Sequence, residues 1–295
     1  MSASLSGSTA GLAFAVAAAL LYGAYLYGYK RYFSGFPAMA YLTVTEGAAA
    51  VWYLPVVAGV DSAALARLGA AHWAGVVATA LLTGVAIAVS IRAIQLGDVS
   101  YVTPLNKLVP AFVLPLELGL LGAVLTPLQV AGVVTATAGI YLANYEADGV
   151  LTPLARALAY RPAQLALLGA GAFAVVDVMK RVLLQDLALP LPVVVWTSLV
   201  GVTAVAAPLG WRRRGDLPVR LLPALVAVGL VLAVGDHTIA LAFQRLPASV
   251  ASPIVNGQAV VAVVLGGLLL DERAFSRRLA ASLLAVAGIA LIALG

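Results

Sequence analysis

The chain has 295 residues, 63% of them apolar and 10% charged, with a mean hydropathy of +1.06; a soluble domain carries nearer ~25% charge, so a water-exposed globule is excluded. The formal net charge of +5 would suggest nucleic acid for a soluble protein, but here the bases stand in short clusters between apolar segments, which removes that partner. Without cysteine there is neither a disulfide nor a thiolate metal site.

In chain order, the N-terminal MSASLSGST lacks the basic region of a cleaved signal, so the first apolar segment, 9–33, is expected to be retained. It ends in YKRYFSGFP, a charged stop before a turn. Further segments cover 38–60 and 72–94, and the Gly97-Asp98 corner leads into 99–121. Thr126-Pro127 opens the fifth, which runs to 145; proline at a helix start costs no hydrogen bond. The longest polar stretch, 146–161, then divides the chain, and 162–187, 190–210, 219–243, 248–270 and 275–294 follow. Each approaches the ~20 residues needed to cross hydrocarbon. Helices are expected throughout, because a lone strand cannot satisfy its backbone in lipid and no ~10-residue in/out alternation of a membrane barrel is present. The fold class is therefore an all-α integral membrane protein.

The two halves repeat. At a single offset of 149, Ala93, Gln95, Ser100 and Pro104 match Ala242, Gln244, Ser249 and Pro253, and Ala138-Gly139-Ile140 matches Ala287-Gly288-Ile289. Five crossings per copy is an odd number, so the second copy must enter the membrane from the opposite side. Ten transmembrane helices arranged as two inverted five-helix repeats follow, over 9–145 and 162–294, joined by the loop 146–161. Such architecture belongs typically to secondary transporters.

In the second copy Ala242, Ala248-Ser249, Pro253, Glu272 and Ala287-Gly288, and in the first Ala93, Ser100, Pro104, Pro110, Leu125-Thr126, Gln129, Gly132 and Gly139, form a pattern that resembles the EamA-type branch of the drug/metabolite transporter superfamily. One departure is Ala123, where the family pattern expects an acid as at Glu272; Glu117, six residues earlier, does not inherit that role. The resemblance implies ten helices, export or exchange of a small metabolite, a cavity formed by the first four helices of each repeat, and a multi-pass protein of the plasma membrane.

A charge in hydrocarbon costs at least ~2.5–3.5 kcal/mol on insertion scales, so each needs a partner or a wet cavity. The intramembrane set is Glu46, Lys107, Glu117, Asp177, Lys180, Asp236 and His237, and its mixed signs favour mutual pairing. Asp177 lies three and four residues before Lys180 and Arg181, on one helical face: either a titratable carboxylate in a cavity or an ion pair that makes insertion tolerable. Lys30-Arg31 matches Lys180-Arg181 at an offset of 150, which marks these bases as a repeated helix-end cluster. Asn106-Lys107 stands between Pro104 and Pro110, so a kinked helix is expected to carry an amide and an ammonium at mid-membrane. Lys107 is then the contact for a substrate carboxylate or phosphate, or a partner for Glu46 or Glu117; Asn256 and Gln258 are the second copy's polar counterparts.

Asp236-His237, adjacent in the eighth segment, point about 100° apart on a helix. An imidazole titrates near ~6.5 and offers proton coupling, as do the carboxylates Glu46, Asp177 and Asp236; a satisfied core histidine is the alternative. His72 beside Trp73 is expected as an interfacial anchor. Tyr22 and Tyr25 are placed either in the cavity or in the aromatic belt, Tyr29 and Tyr32 in the belt. Small residues at Gly132, Gly139, Ala281, Ala285 and Gly288 suit close helix packing within one chain or between subunits, so a monomer or weak homodimer is expected.

Loops after odd-numbered segments hold eleven bases against four after even-numbered ones. This places both termini outside, whereas the resemblance implies termini inside. A membrane-embedded enzyme and a non-transporting structural protein are the competing classes. The first would need a constellation such as HExxH, which is missing, and no P-loop is present for ATP-driven pumping; the second has no need of buried charge in both halves. The expectation is a secondary carrier of a small polar metabolite such as an amino acid, with protons as the coupling ion and no cofactor.

Overall fold

The computed structural model describes residues 2–97, 102, 105–122, 124–143, 159–270 and 275–294, and every regular element among them is helical. In the first half, α1 (Ser2–Gly28) continues into a π turn (Tyr29–Phe33), followed by α2 (Ala38–Trp52), the short α3 (Leu54–Ala58) and α4 (Ser62–Ala66), α5 (Ala70–Leu96), α6 (Val109–Leu121) and α7 (Pro127–Ala143). The second half holds α8 (Arg161–Arg181) with its own π turn (Val182–Asp186), α9 (Leu191–Gly210), α10 (Leu222–Phe243), α11 (Ala248–Asn256), α12 (Gln258–Leu270) and α13 (Phe275–Leu294). Asp98, Ser100, Pro104, Ala123, Glu272 and 144–158 of the expected inter-repeat loop lie outside the described residues.

Among the described residues, four spans are long and apolar enough to cross a bilayer: Ser8–Phe33, Ala70–Leu96, Leu191–Arg213 and Val219–Phe243. The others differ from the continuous segments expected, for identifiable reasons. The second turns at Tyr53, where Pro55 opens α3. The fourth is broken rather than kinked: its described part stops at Lys107–Leu108, and α6 restarts with Pro110 in its first turn. Pro110 has no N–H for the Asn106 carbonyl, and a first turn is where that lack costs least. The ninth breaks at Gly257, whose N–H returns to the Pro253 and Ile254 carbonyls before α12 begins. At the 149 offset Lys107–Leu108 corresponds to Asn256–Gly257, so the two interruptions coincide.

Packing repeats as well. α5 packs on α8 and α9, as α10 packs on α1 and α2; α6 packs on α8 as α12 packs on α1. Two of the remaining major contacts join equivalent helices, α2 with α9 and α7 with α13, and a third joins α6 to α11. Both equivalent pairs are antiparallel. Gly210 faces Met39–Ala40 while Gly47 faces Thr203, and the Trp196 indole donates to the Ala50 carbonyl at 3.1 Å. Gly132 meets Ile292 whereas Gly139 meets Ala285. The small residues expected to mediate close packing thus join α7 to α13 inside one chain.

Buried hydroxyls are satisfied within their own helices: Thr45, Thr79, Thr83 and Thr137 donate to carbonyls one turn back, at 2.7–3.0 Å. His72 does more than mark an interface, since its Nδ1 accepts from the Gly69 N–H at 3.1 Å and caps α5. At the start of α7, Thr126 and Gln129 form a reciprocal capping box, with Gln129 N–H to Thr126 Oγ1 at 3.1 Å and Thr126 N–H to Gln129 Oε1 at 3.0 Å. Gln129→Ala removes half of it and is expected to cost about 1 kcal/mol. A fall of a few degrees in the detergent melting midpoint would register this; an unchanged midpoint would show the cap to be idle.

Candidate functional site

The helices enclose a central chamber of about 310 Å³ between the two halves. Tyr22 and Tyr25 come to it from α1, Glu46 from α2, and Asn106 and Lys107 from the first break. The second half supplies Asp177 and Lys180 from α8, Asp236 from α10, and Asn256 and Gln258 from the second break. Interrupted helices place polar groups at mid-membrane because the backbone there turns away from its own ladder.

Of the ten residues singled out in the sequence, nine line this chamber. His237 does not. One residue along from Asp236 on the same helix, it turns toward α2, where its Nδ1 and the Tyr53 hydroxyl share a hydrogen bond at 2.5 Å. It is half-buried with its hydrogen-bond partner outside the chamber, and the 100° step between neighbours separates it from Asp236. Asp236 itself accepts from the Tyr22 hydroxyl at 2.5 Å. Gly235 makes this possible: a Cβ there would lie 2.5 Å from the Tyr22 ring. Tyr22 and Tyr25 meet edge to face, with centroids 5.8 Å apart.

The mutual pairing expected of the charges is only partly realised. Asp177 accepts from the Ser252 hydroxyl at 2.6 Å and feels the Lys180 ammonium; Ser252 carried no signal in the sequence. Glu46 senses both Asp236 and Lys180. Lys180 therefore belongs to the chamber, although its repeat counterpart Lys30 is exposed on the π turn of α1. Arg181 leaves that face and pairs with Glu117 and Asp186. Lys107 reaches neither Glu46 nor Glu117; among the described residues it has no hydrogen-bond or ion-pair partner. Buried acceptors in the same chamber are also unpaired: Glu46 Oε2, Asn106 Oδ1 and Gln258 Oε1. A buried polar group without a partner costs about 1–3 kcal/mol, so this chamber is built around atoms the fold leaves unsatisfied.

On one face the chamber continues into a wider vestibule of about 850 Å³, sharing Tyr25, Leu26, Leu42 and Ile87 with it. Tyr29, Pro37, Gln95 and Arg213 form the vestibule's outer wall. Tyr29 packs at a tilt on Tyr41, with centroids 4.9 Å apart, and lines the vestibule. Tyr32, at 67% exposure, faces outward.

The EamA-like transporter family matches residues 9–145 and 161–294. Among solved structures, one described only as a crystal structure of a protein is similar over 96% of this chain and 95% of its own, with a TM-score of 0.75 at 19% identity; this likeness is one of fold. No curated protein matches.

Proposed function

Because the chain belongs to the EamA-like transporter family, and so is a multi-pass membrane protein, we propose that it is a secondary carrier that exports or exchanges a small polar metabolite bearing both an amine and an acid, such as an amino acid. The observation that carries this reading is the set of unpaired groups in one chamber. Lys107, with no partner among the described residues, supplies a cation for a carboxylate, while Glu46 Oε2, Asn106 Oδ1 and Gln258 Oε1 await donors such as an ammonium. Tyr22, Tyr25 and Asn256 complete the binding surface, and Asp177 and Asp236 stand beside it as groups able to carry a coupled proton. A lipophilic cation would leave Lys107 without an anion.

The antiparallel crossing of α2 with α9 and α7 with α13 supports inversion of the halves, since equivalent helices would run parallel if the repeats faced the same way. Ten crossings, five in 9–145 and five in 162–294, then surround the chamber, and rocking of one half against the other exposes it to each face in turn. The site is a carrier's, with no chemical step assigned to it, in the plasma membrane.

Uptake into inside-out vesicles, screened over zwitterionic, anionic and cationic solutes with and without a proton gradient, tests this. Zwitterions are expected to accumulate, and to do so less when the gradient is collapsed. Transport of lipophilic cations alone would remove the proposal.

A further inference from the structure

Away from the vestibule, one carboxylate ties the first half to the second. Glu117, on α6, is fully buried, and all its partners belong to the other half. It accepts from the Ala248 and Ser249 backbone N–H groups at 2.7 and 2.6 Å and from the Ser249 hydroxyl at 2.5 Å; Arg181 Nε lies 3.7 Å away. Helix α11 begins after Pro247, which offers no capping side chain. Its first turn is therefore capped by a residue 131 positions earlier, where a helix ordinarily uses a local Ser, Thr, Asp or Asn. Beside this contact, Gln185 on the π turn after α8 donates to the Phe243 and Leu246 carbonyls at 2.6 and 2.7 Å.

The position of this cluster follows from α1. Gly11 packs against Leu246, whereas Tyr29 borders the vestibule. Eighteen helical residues separate them, roughly 27 Å. The cluster and the vestibule thus stand at opposite ends of the chamber. The repeat also shows what the vestibule face lacks: at the 149 offset Glu117 corresponds to Gly266, which has no side chain.

We infer that Glu117 is the latch of the second gate, holding the chamber shut opposite the vestibule until its carboxylate leaves the first turn of α11. The latch rests on the carrier reading only for its place in a transport cycle. Charge-assisted bonds are the strong class, and because these join one half exclusively to the other, relative movement of the halves must break them together.

The cysteine-free chain allows a direct test with single thiols and a membrane-impermeant maleimide on sealed vesicles of either orientation. Ala248→Cys places a thiol behind the latch, at a side chain with no exposure and no part in the bonds. Gln95→Cys marks the vestibule. With Glu117 intact the first thiol should react slowly. In Glu117→Gln it should react about tenfold faster, and from the membrane face opposite the one that labels Gln95→Cys. Ser249→Ala, which keeps both backbone contacts, should give a smaller acceleration and supplies the result if Glu117→Gln does not fold. Unchanged labelling in both variants, or labelling from the vestibule face, overturns the latch. No solute is needed for this measurement. A chain that labels as expected but moves no zwitterion would refute the carrier reading and leave the latch standing.

Discussion

Lys107→Ala is expected to lower uptake about a hundredfold while leaving the folded protein as stable as before, or more so. The ammonium faces the chamber and has no protein partner among the described residues, so its removal breaks no bond within the fold. An unpaired cation in hydrocarbon carries an insertion cost that alanine lacks. Loss of one member of a buried charge pair with the substrate typically costs 2–5 kcal/mol, and about 2.7 kcal/mol is a hundredfold in affinity. Uptake per folded molecule together with the melting midpoint separates the effects: function should fall while the midpoint holds or rises. Asp236→Ala provides the contrast. It too should abolish uptake, but it also strands the Tyr22 hydroxyl and should lower the midpoint. A Lys107→Ala carrier with wild-type uptake would remove Lys107 from the site.

Gly132→Val is expected to act in the opposite sense, harming the fold and sparing the chemistry. A Cβ on Gly132 would lie 2.7 Å from the Ile292 backbone nitrogen and 2.8 Å from the Gly288 carbonyl oxygen. Backbone atoms inside a helix cannot step aside, so α7 and α13 must separate. Overpacking of this kind costs 1–3 kcal/mol or more, and the upper end is expected here because the contact is backbone to backbone. In a chain of 295 residues that is a fall of roughly 5 °C in the melting midpoint. Neither helix lends a residue to the chamber, so uptake per surviving folded molecule should be unchanged. Gly119 is the control: nothing lies within 4 Å of a Cβ there, and Gly119→Ala should be neutral or slightly stabilising. Equal midpoints for Gly132→Val and the parent would show that the close approach is not needed.

Much of this was legible in the residues. Apolar runs and the fixed 149 offset gave the helices and the two-repeat organisation, because burial in lipid leaves few alternatives to a helix. Costly ions were legible for the same reason, and Glu46, Lys107, Asp177 and Asp236 do meet in one chamber. Direction around a helix was not. Asp236 and His237 are neighbours with unrelated partners, and only the packing of α10 against α1 and α2 decides which faces inward. Long-range partners left no trace either: Ser252 beside Asp177 and the capping of α11 by Glu117 join residues 75 and more than 130 positions apart. Pro110 predicted disruption correctly in place but not in kind, since a proline is equally at home inside a bend or at the beginning of a new helix.

The coincident interruptions at Lys107–Leu108 and Asn256–Gly257 carry a thermodynamic corollary. The scaffold is duplicated, yet the ammonium is not: one copy contributes a cation and its twin a neutral amide. Exchanging the roles of the halves therefore regenerates the shape of the molecule without regenerating its electrostatic surroundings. In the alternating-access cycle proposed above, the two conformers facing opposite compartments are then not equivalent by symmetry, and the duplication does not equalise their populations or their hold on the same solute.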